Sequence, residues 1–436
     1  MERKGKLILV TGATGYIGSH LTRELLKQAA RVRALVRNPA KASALERLGA
    51  EIRTADFTQP STLEDAVKGC NLIFPVAGTV KEFKPYSYYW AVNVEGTRAL
   101  AEAAIEARVE QFVHISSVWV YGADAGMNIN ESSPHMKSGF PYADTKLEGE
   151  RVVRRLIEEQ GLPAIIVQPS EVYGPWDPSW IVRPLDMIKK GKRVLVDGGE
   201  GLIQPIYIDD VVEGILAAAR KGAVGQSYII CGSEAVTLRE FFGYHARMLR
   251  KTRLPSVPTW LALTVATLSE WGSKILRVPP IFTRQEVRIT TVHAAYNGGK
   301  AQRELGFAPN TSLPEGMRWV EEWVRSRPSY CKQSAPAGCG FEESPRKRDM
   351  ALPPEGARLS ELCRSRLSLH HTAEAASAVS PFPPGSGHTS VSCPHRARSY
   401  QHKTLWPKSD CPHRAFSSGA ETHGTTSSRS APSASP

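Results

Sequence analysis

"KLILVTGATGYIGSHLTRELLKQ", residues 6–28, is the stretch on which the fold turns. Its apolar start, Leu7 to Val10, reads as a buried strand, and the chain then passes through Gly12, Gly15 and Gly18 into a helix. A strand that runs directly into a glycine-rich turn leaves unpaired backbone N–H groups at the helix N-terminus, where a pyrophosphate binds. Side chains at the glycine positions would hold the phosphates away. The expected cofactor-binding residues here are Gly12, Thr14, Gly15, Tyr16, Ile17 and Gly18.

Outward from this turn, "RVRALVR" (31–37) reads as a second strand. In the NAD version of such a fold an acidic residue near its end would bind the adenosine ribose hydroxyls. None is present; Arg37 stands just past the strand, with Arg33 before it and Lys41 after. A guanidinium there suits a 2'-phosphate, so the expected cofactor is NADP, with NAD as the alternative if Arg37 and Lys41 are only solvated surface charges. "AEIRTADFTQPSTLEDAVKGCNLIFPVAG" (50–78) adds a strand ending near Asp56, a helix from about Ser61 and a fourth strand entering Gly78. This alternation predicts an α/β fold, a Rossmann-type doubly wound parallel sheet whose ligands gather at the carboxyl ends of the strands. Asp56, Phe57, Ala77 and Gly78 fall at those ends.

A long helix is expected over 86–107 and a fifth strand over 111–122, carrying Ser116 and Ser117. "PYADTK" (141–146) then opens a helix that runs to Gly161, placing Tyr142 and Lys146 four residues apart on one face. Taken alone, that spacing also suits a half-buried tyrosine beside a solvated lysine.

The 436 residues, 41% of them hydrophobic, divide unevenly. Residues 1–168 are read as the dinucleotide-binding domain, completed by strand and helix segments within 197–231, and 169–196 with 232–328 as a smaller substrate-binding part. From 331 to 436 the composition changes to thirteen Lys plus Arg against eight Asp plus Glu, with five of the seven Cys and much Ser and Pro. Such a segment is expected to be a disordered low-complexity tail. Its repeated "CPHRA" puts Cys393, His395, Cys411 and His413 in a Cys-x-His spacing that is not a zinc pattern, so no metal is expected.

The net charge of +12 suits an anionic ligand such as a coenzyme phosphate. No helix-turn-helix, zinc-finger or RNA-binding signature organises it, which excludes nucleic acid as the expected partner in favour of a small-molecule substrate. No run reaches the length of a membrane span. The longest apolar candidate, "VPTWLALTVATLSEWGSKIL" (257–276), gathers Leu261, Val265, Leu268 and Ile275 on one face with polar residues opposite, which reads as the packing side of an amphipathic helix, with a membrane-surface helix as the alternative. Only Cys70 and Cys231 lie before the tail and the N-terminus reads as a strand, so a reducing cytoplasm is expected.

In order and spacing, "TGATGYIG", "NVEGT" (93–97), "ISSVWVYG", "YADTK", "QPSEVYGP" (168–175) and "YIDDVV" (207–212) resemble the extended short-chain dehydrogenase/reductases, the NAD-dependent epimerase/dehydratase family. "VRALVRNP" and "AQRELGFAPNTSLPEGMRWVEEW" look most like its dihydroflavonol reductase and 3β-hydroxysteroid dehydrogenase side. The resemblance covers about residues 5–328 and implies that Tyr142 transfers the proton, Lys146 binds the nicotinamide ribose and Ser117 holds the reacting oxygen. It also places Asn93 and Pro169 among the cofactor-binding residues, and homodimers through the Tyr142 helix and its predecessor are common in the family. A free phenol, with a pKa of about 10, is a poor base at neutral pH, and a lysine ammonium one helical turn away, together with an oxidised nicotinamide, would favour the phenolate.

Two positions depart from the family pattern: Pro75 stands where a histidine is frequent, and Gln168 where an arginine is usual, both expected to alter the loop bordering the cofactor. Val118 and Trp119 follow Ser117 where sugar dehydratases carry an acidic pair, which argues against dehydration. Candidate substrate-lining residues are Thr79, Trp119, Trp176, Trp180, Arg183 and Tyr207. The expected activity is an NAD(P)-dependent interconversion of a secondary alcohol and a ketone. A nucleotide-sugar epimerase that retains NAD and a non-catalytic dinucleotide-sensing scaffold are the alternatives.

Overall fold

Seven strands form one parallel sheet: β1 (Leu7–Thr11), β2 (Arg31–Val36), β3 (Glu51–Thr54), β4 (Leu72–Pro75), β5 (Gln111–Ile115), β6 (Ala164–Pro169) and β7 (Ser227–Ile230). Their order is β7-β6-β5-β4-β1-β2-β3, and every neighbouring pair is parallel. The computed structural model describes residues 5–59, 61–79, 84–123, 125–276 and 283–327; the tail expected over 331–436, with its Cys-x-His repeats, lies outside them. The doubly wound sheet is the one the strand-helix period predicts. The chain starts at β1, moves outward to β3 and returns to β4, so the order reverses between β1 and β4 and opens a crevice at their carboxyl ends.

Alternate β1 side chains feed opposite layers, as the two-residue period of a strand requires. Ile8 and Val10 pack with Leu21 and Leu25 of α1 (Tyr16–Lys27). Leu7 and Leu9 face the other layer, built from α2 (Gly96–Glu106) and α3 (Pro141–Gln160) through Leu100 and Val153. A further helix, α4 (Ile208–Lys221), joins the α1 layer through Val211 and Ile215, so α4 and β7, both within 197–231, extend the sheet and its cover. The long helix expected over 86–107 is continuous but changes type: Tyr86–Trp90 is α, Ala91–Glu95 is π and α2 follows.

Three longer helices, α5 (Leu238–Met248), α6 (Thr259–Leu276) and α7 (Leu313–Arg325), lie with Arg183–Lys189, Arg284–Thr290 and four short strand pairs beyond the main sheet. Tyr173, Tyr207, Phe241 and Met317 form the centre of that packing. Here one expectation is reversed. The face of α6 read as its packing side is exposed at Leu261, Val265 and Leu268, by 36%, 49% and 63%, the Ile275 side chain lying outside those described, while Ala262 and Ala266 are buried against Val196 and Val287. Both faces are apolar, and the small side chains allow the closer approach. Among the described residues no helix is long and apolar enough to cross a membrane.

Candidate active site

The glycine turn is built by close approach. Gly12 has φ +62°, and a Cβ there would lie 2.8 Å from the Ala77 Cα; a Cβ on Gly18 would lie 2.2 Å from the Gly12 carbonyl oxygen. The turn therefore packs directly on the chain leaving β4. Gly15 caps α1 without a side-chain acceptor, and the first turn has no acidic residue, so its N–H donors point outward with no carboxylate to repel an anion. Thr14 and Gly15 are exposed, Tyr16 and Ile17 half-buried. This cradle fits a dinucleotide pyrophosphate.

Around the cradle, Ala77 N–H donates to Thr11 Oγ1 at 3.0 Å, and Gly78 lies beside Asn93. Asn93, in the π-helical turn, accepts from the Thr79 N–H and donates to Thr145 Oγ1, both at 3.0 Å, tying the β4 loop to α3. Arg37 is exposed directly after β2 and donates to the Tyr88 hydroxyl at 2.8 Å; Lys41 is exposed in the short helix Pro39–Ala42. Asp56 accepts from the Thr58 N–H and hydroxyl. Phe57 is buried against Gly96, which puts its ring in the core. Pro169 is the last residue of β6.

Tyr142, Lys146 and Ser117 converge at the end of β5. Pro141 starts α3 with the φ a first helical turn needs, and Asp144 accepts from the Ser138 N–H at 2.8 Å, so Tyr142 emerges at a fixed point of the first turn. Gly149 lets α3 seat closely, since a Cβ there would lie 2.3 Å from the Asn93 carbonyl oxygen. Ser117 caps the turn Val118–Tyr121, accepting from the Trp119 N–H, and its side chain lies near enough to Tyr142 to favour the phenolate. Lys146 Nζ donates to the Ile115 carbonyl at 2.5 Å.

In the protein alone, burial is the largest influence on the Tyr142 phenol. Burial pushes Tyr142 above its ordinary value, and the neighbouring Ser117 side chain only partly offsets it. Burial also brings Lys146 down to about 8, against the raising effect of Glu150. The ammonium is turned to a strand carbonyl, and desolvation of the phenolate is the larger effect.

Behind the pair lies a network that the motif reading did not find. Glu150, fully buried, accepts from the Ser116 hydroxyl, from Gln168 Nε2 at 3.1 Å and from Arg154 Nη2 at 2.6 Å, with His135 Nε2 at 3.7 Å. Burial lowers the His135 pKa, against the raising effect of Glu150. The four-residue stripe Tyr142, Lys146, Glu150, Arg154 was visible in the sequence; the loop residue His135 gave no such signal. Gln168 also accepts from the Tyr121 hydroxyl at 2.8 Å. Its departure from the family pattern thus acts inside β6, in this buried network, not in a loop at the cofactor.

The candidate lining residues scatter. Thr79 is buried beside Asn93, and Trp119 is half-buried against Phe140, ring centroids 6.0 Å apart. Trp176 is 45% exposed beneath the Arg327 guanidinium, 3.7 Å away, and Arg183 Nη2 donates to Glu286 at 2.7 Å. Trp180 packs on Phe241. Tyr207 is 1% exposed between Tyr173 and Trp319, a core side chain where an open wall was expected.

Comparison with known proteins decides the family. The description "NAD dependent epimerase/dehydratase family" matches residues 8–231, more than half of the chain. The chain belongs to the NAD dependent epimerase/dehydratase family. Within it, the chain is 28% identical over 337 residues to the 4-hydroxy-2-methyl-3-oxo-4-farnesyl-3,4-dihydroquinoline-1-oxide ketoreductase of Stigmatella aurantiaca, covering 76% of this chain and 97% of that protein. It is 27% identical over 343 residues to the 3beta-hydroxysteroid-dehydrogenase/decarboxylase isoform 1 of Arabidopsis thaliana, covering 71% and 77%. Among solved structures, MoeE5 in complex with UDP-glucuronic acid and NAD aligns with a TM-score of 0.59 at 26% identity, over 74% of this chain and 99% of that one. This family member is an enzyme of the extended short-chain dehydrogenase/reductase type, an NAD-dependent oxidoreductase in the broad sense.

Proposed function

We propose that the protein is an NADP-preferring reductase/dehydrogenase that interconverts a secondary alcohol and a ketone, with Tyr142 as its acid and base. The observation that carries this reading is the placement of Ser117, buried just past the end of β5, beside Tyr142 in the first turn of α3, with Lys146 one helical turn from Tyr142 and its Nζ donating to the Ile115 carbonyl at 2.5 Å. When bound, the nicotinamide supplies or accepts the hydride. Ser117 holds the substrate oxygen by hydrogen bond, and Tyr142 gives that oxygen its proton as the carbonyl carbon is reduced, or takes it back in the reverse direction. Lys146, released from the Ile115 carbonyl, would bind the nicotinamide ribose and stabilise the phenolate left behind. The raised phenol suits the acid role at neutral pH. The exposed Arg37 after β2, in a stretch 37–41 whose sequence holds no acidic residue, supports the 2'-phosphate preference. The names of the two relatives, a ketoreductase of a farnesylated quinoline oxide and a hydroxysteroid dehydrogenase/decarboxylase, direct the substrate search to apolar ring ketones.

A second reading, a nucleotide-sugar epimerase retaining NAD, is favoured by the MoeE5 complex with UDP-glucuronic acid and NAD. The deciding experiment is a fluorescence titration with NADPH and NADH after assay for co-purified dinucleotide. Exchangeable NADPH binding, weakened at least about tenfold in Arg37→Asp, supports the reductase. Retained NAD, or equal affinity for both, overturns the NADP reading and sends the search to nucleotide sugars.

A further inference from the structure

Helix α6 presents an apolar stripe to solvent that the core does not use. Trp260, Leu261, Val265, Leu268 and Trp271 are 69%, 36%, 49%, 63% and 66% exposed, while the opposite side, Ala262 and Ala266, is buried. At about 100° per residue all five fall within one side of the helix, and the two tryptophans, eleven residues apart in sequence, stand in line about 16 Å from each other. Indole rings at both ends of a leucine and valine stripe suit a boundary between hydrocarbon and water.

The charge flanking the stripe in sequence is mostly basic, and the carboxylate at its N-terminus, Asp197, is taken up in capping the helix, accepting from the Thr259 N–H at 2.8 Å. Between residues 247 and 292 the sequence holds eight Lys and Arg against two acidic residues, Glu270 and Glu286. Both acids are engaged by arginine, Glu270 by Arg284 at 2.8 Å and Glu286 by Arg183 at 2.7 Å. Arg247, Arg250 and Arg253 before the helix and Arg288 after it are exposed. The occupant that satisfies both features is anionic and apolar together.

We propose that α6 docks this protein on an anionic lipid surface, lying in the plane of the interface with its five apolar side chains among the acyl chains and the flanking arginines on the headgroups. The helix is buried along its other side and, among the described residues, none is long and apolar enough to cross a membrane, so it lies on the bilayer and does not span it. A second copy of the chain fits less well, because cations flank the helix in sequence on both sides and a two-fold contact would bring like charges together. The chain's own residues 331–436, with thirteen basic against eight acidic side chains, do not neutralise the patch either.

The test is co-sedimentation of the full chain with phosphatidylcholine vesicles, with and without about 30 mol% phosphatidylglycerol. Wild type is expected to bind the anionic vesicles, to release as salt approaches about 0.5 M, and to leave pure phosphatidylcholine largely unbound. Leu268→Glu and the pair Trp260→Ser with Trp271→Ser should each weaken that binding at least about tenfold. Because these side chains are exposed, melting temperature and NADPH binding should not change, which separates this test from the fate of the reductase reading. Wild type that ignores anionic vesicles, or equal binding to both vesicle types, overturns the proposal. So does undiminished binding by Leu268→Glu, which would assign the affinity to other cations, and so does a wild-type oligomer that this substitution dissociates without vesicle binding.

Discussion

Tyr142 and Glu150 share one face of α3 but call for different experiments. Tyr142→Phe removes only a hydroxyl, so turnover should fall about 100- to 10,000-fold while NADPH affinity stays within about threefold. Steady-state kinetics beside a binding titration checks this, and unchanged turnover would revive the non-catalytic scaffold. Glu150 acts through what it holds, the Ser116 hydroxyl, Gln168 and Arg154. Glu150→Ala leaves buried donors without an acceptor and should cost about 3 kcal/mol in urea unfolding, with Glu150→Gln costing less because its amide oxygen still accepts. The reactive spacing was legible because residues four apart on a helix must be neighbours. The partners of Glu150 were not, since His135 and Gln168 come from a loop and a strand.

At the scale of elements, two glycines set how closely helices approach the site. Gly18→Ala would drive a Cβ to 2.2 Å from the Gly12 carbonyl oxygen, and Gly149→Ala to 2.3 Å from that of Asn93. Each should lower stability by about 1–3 kcal/mol, read from thermal melts. Their kinetic effects should separate. Gly18→Ala disturbs the phosphate cradle and should weaken dinucleotide binding, whereas Gly149→Ala lifts α3 off the π-helical turn and should lower kcat more than dinucleotide affinity. Loss of binding in both would mean that α3 also shapes the cradle. The glycine turn was readable from strand, turn and helix in succession. The π-helical turn was not, because the stretch carrying Asn93 reads as an uninterrupted helix and its change of type accompanies bonds to the β4 loop and α3.

For the molecule as a whole, Glu171 marks a seam. It lies just past β6 and accepts from the Gln204 N–H at 3.1 Å, while the Gln204 side chain donates to the Gly232 carbonyl and accepts from the Tyr296 N–H, each at 2.7 Å. Burial lifts the Glu171 carboxyl from its ordinary 4.5 to about 7. The folded chain therefore holds a proton that the unfolded chain releases. The stabilisation from that proton is fully present below about 4.5 and is lost as pH rises through about 7. Glu171→Gln keeps an acceptor and carries no charge, so relative to wild type it should gain stability across that window, by about 3 kcal/mol at most. Urea denaturation of both proteins at several pH values checks this; a pH-independent difference would mean that the carboxylate is ionised and satisfied in the fold.

The sequence by itself determined the parallel sheet, the phosphate turn and the tyrosine-lysine spacing, because each is written in contiguous residues through strand and helix periods and the conformational freedom of glycine. It also carried the family resemblance through about residue 328. Only the tertiary structure decided where Lys146 points, that Gln168 belongs to a buried network and that Tyr207 is core. It alone decided which apolar face of α6 is covered, where Ala262 and Ala266 prevail over Leu261, Val265 and Leu268. Those outcomes depend on desolvation and on the fit between distant segments, which local periodicity does not encode.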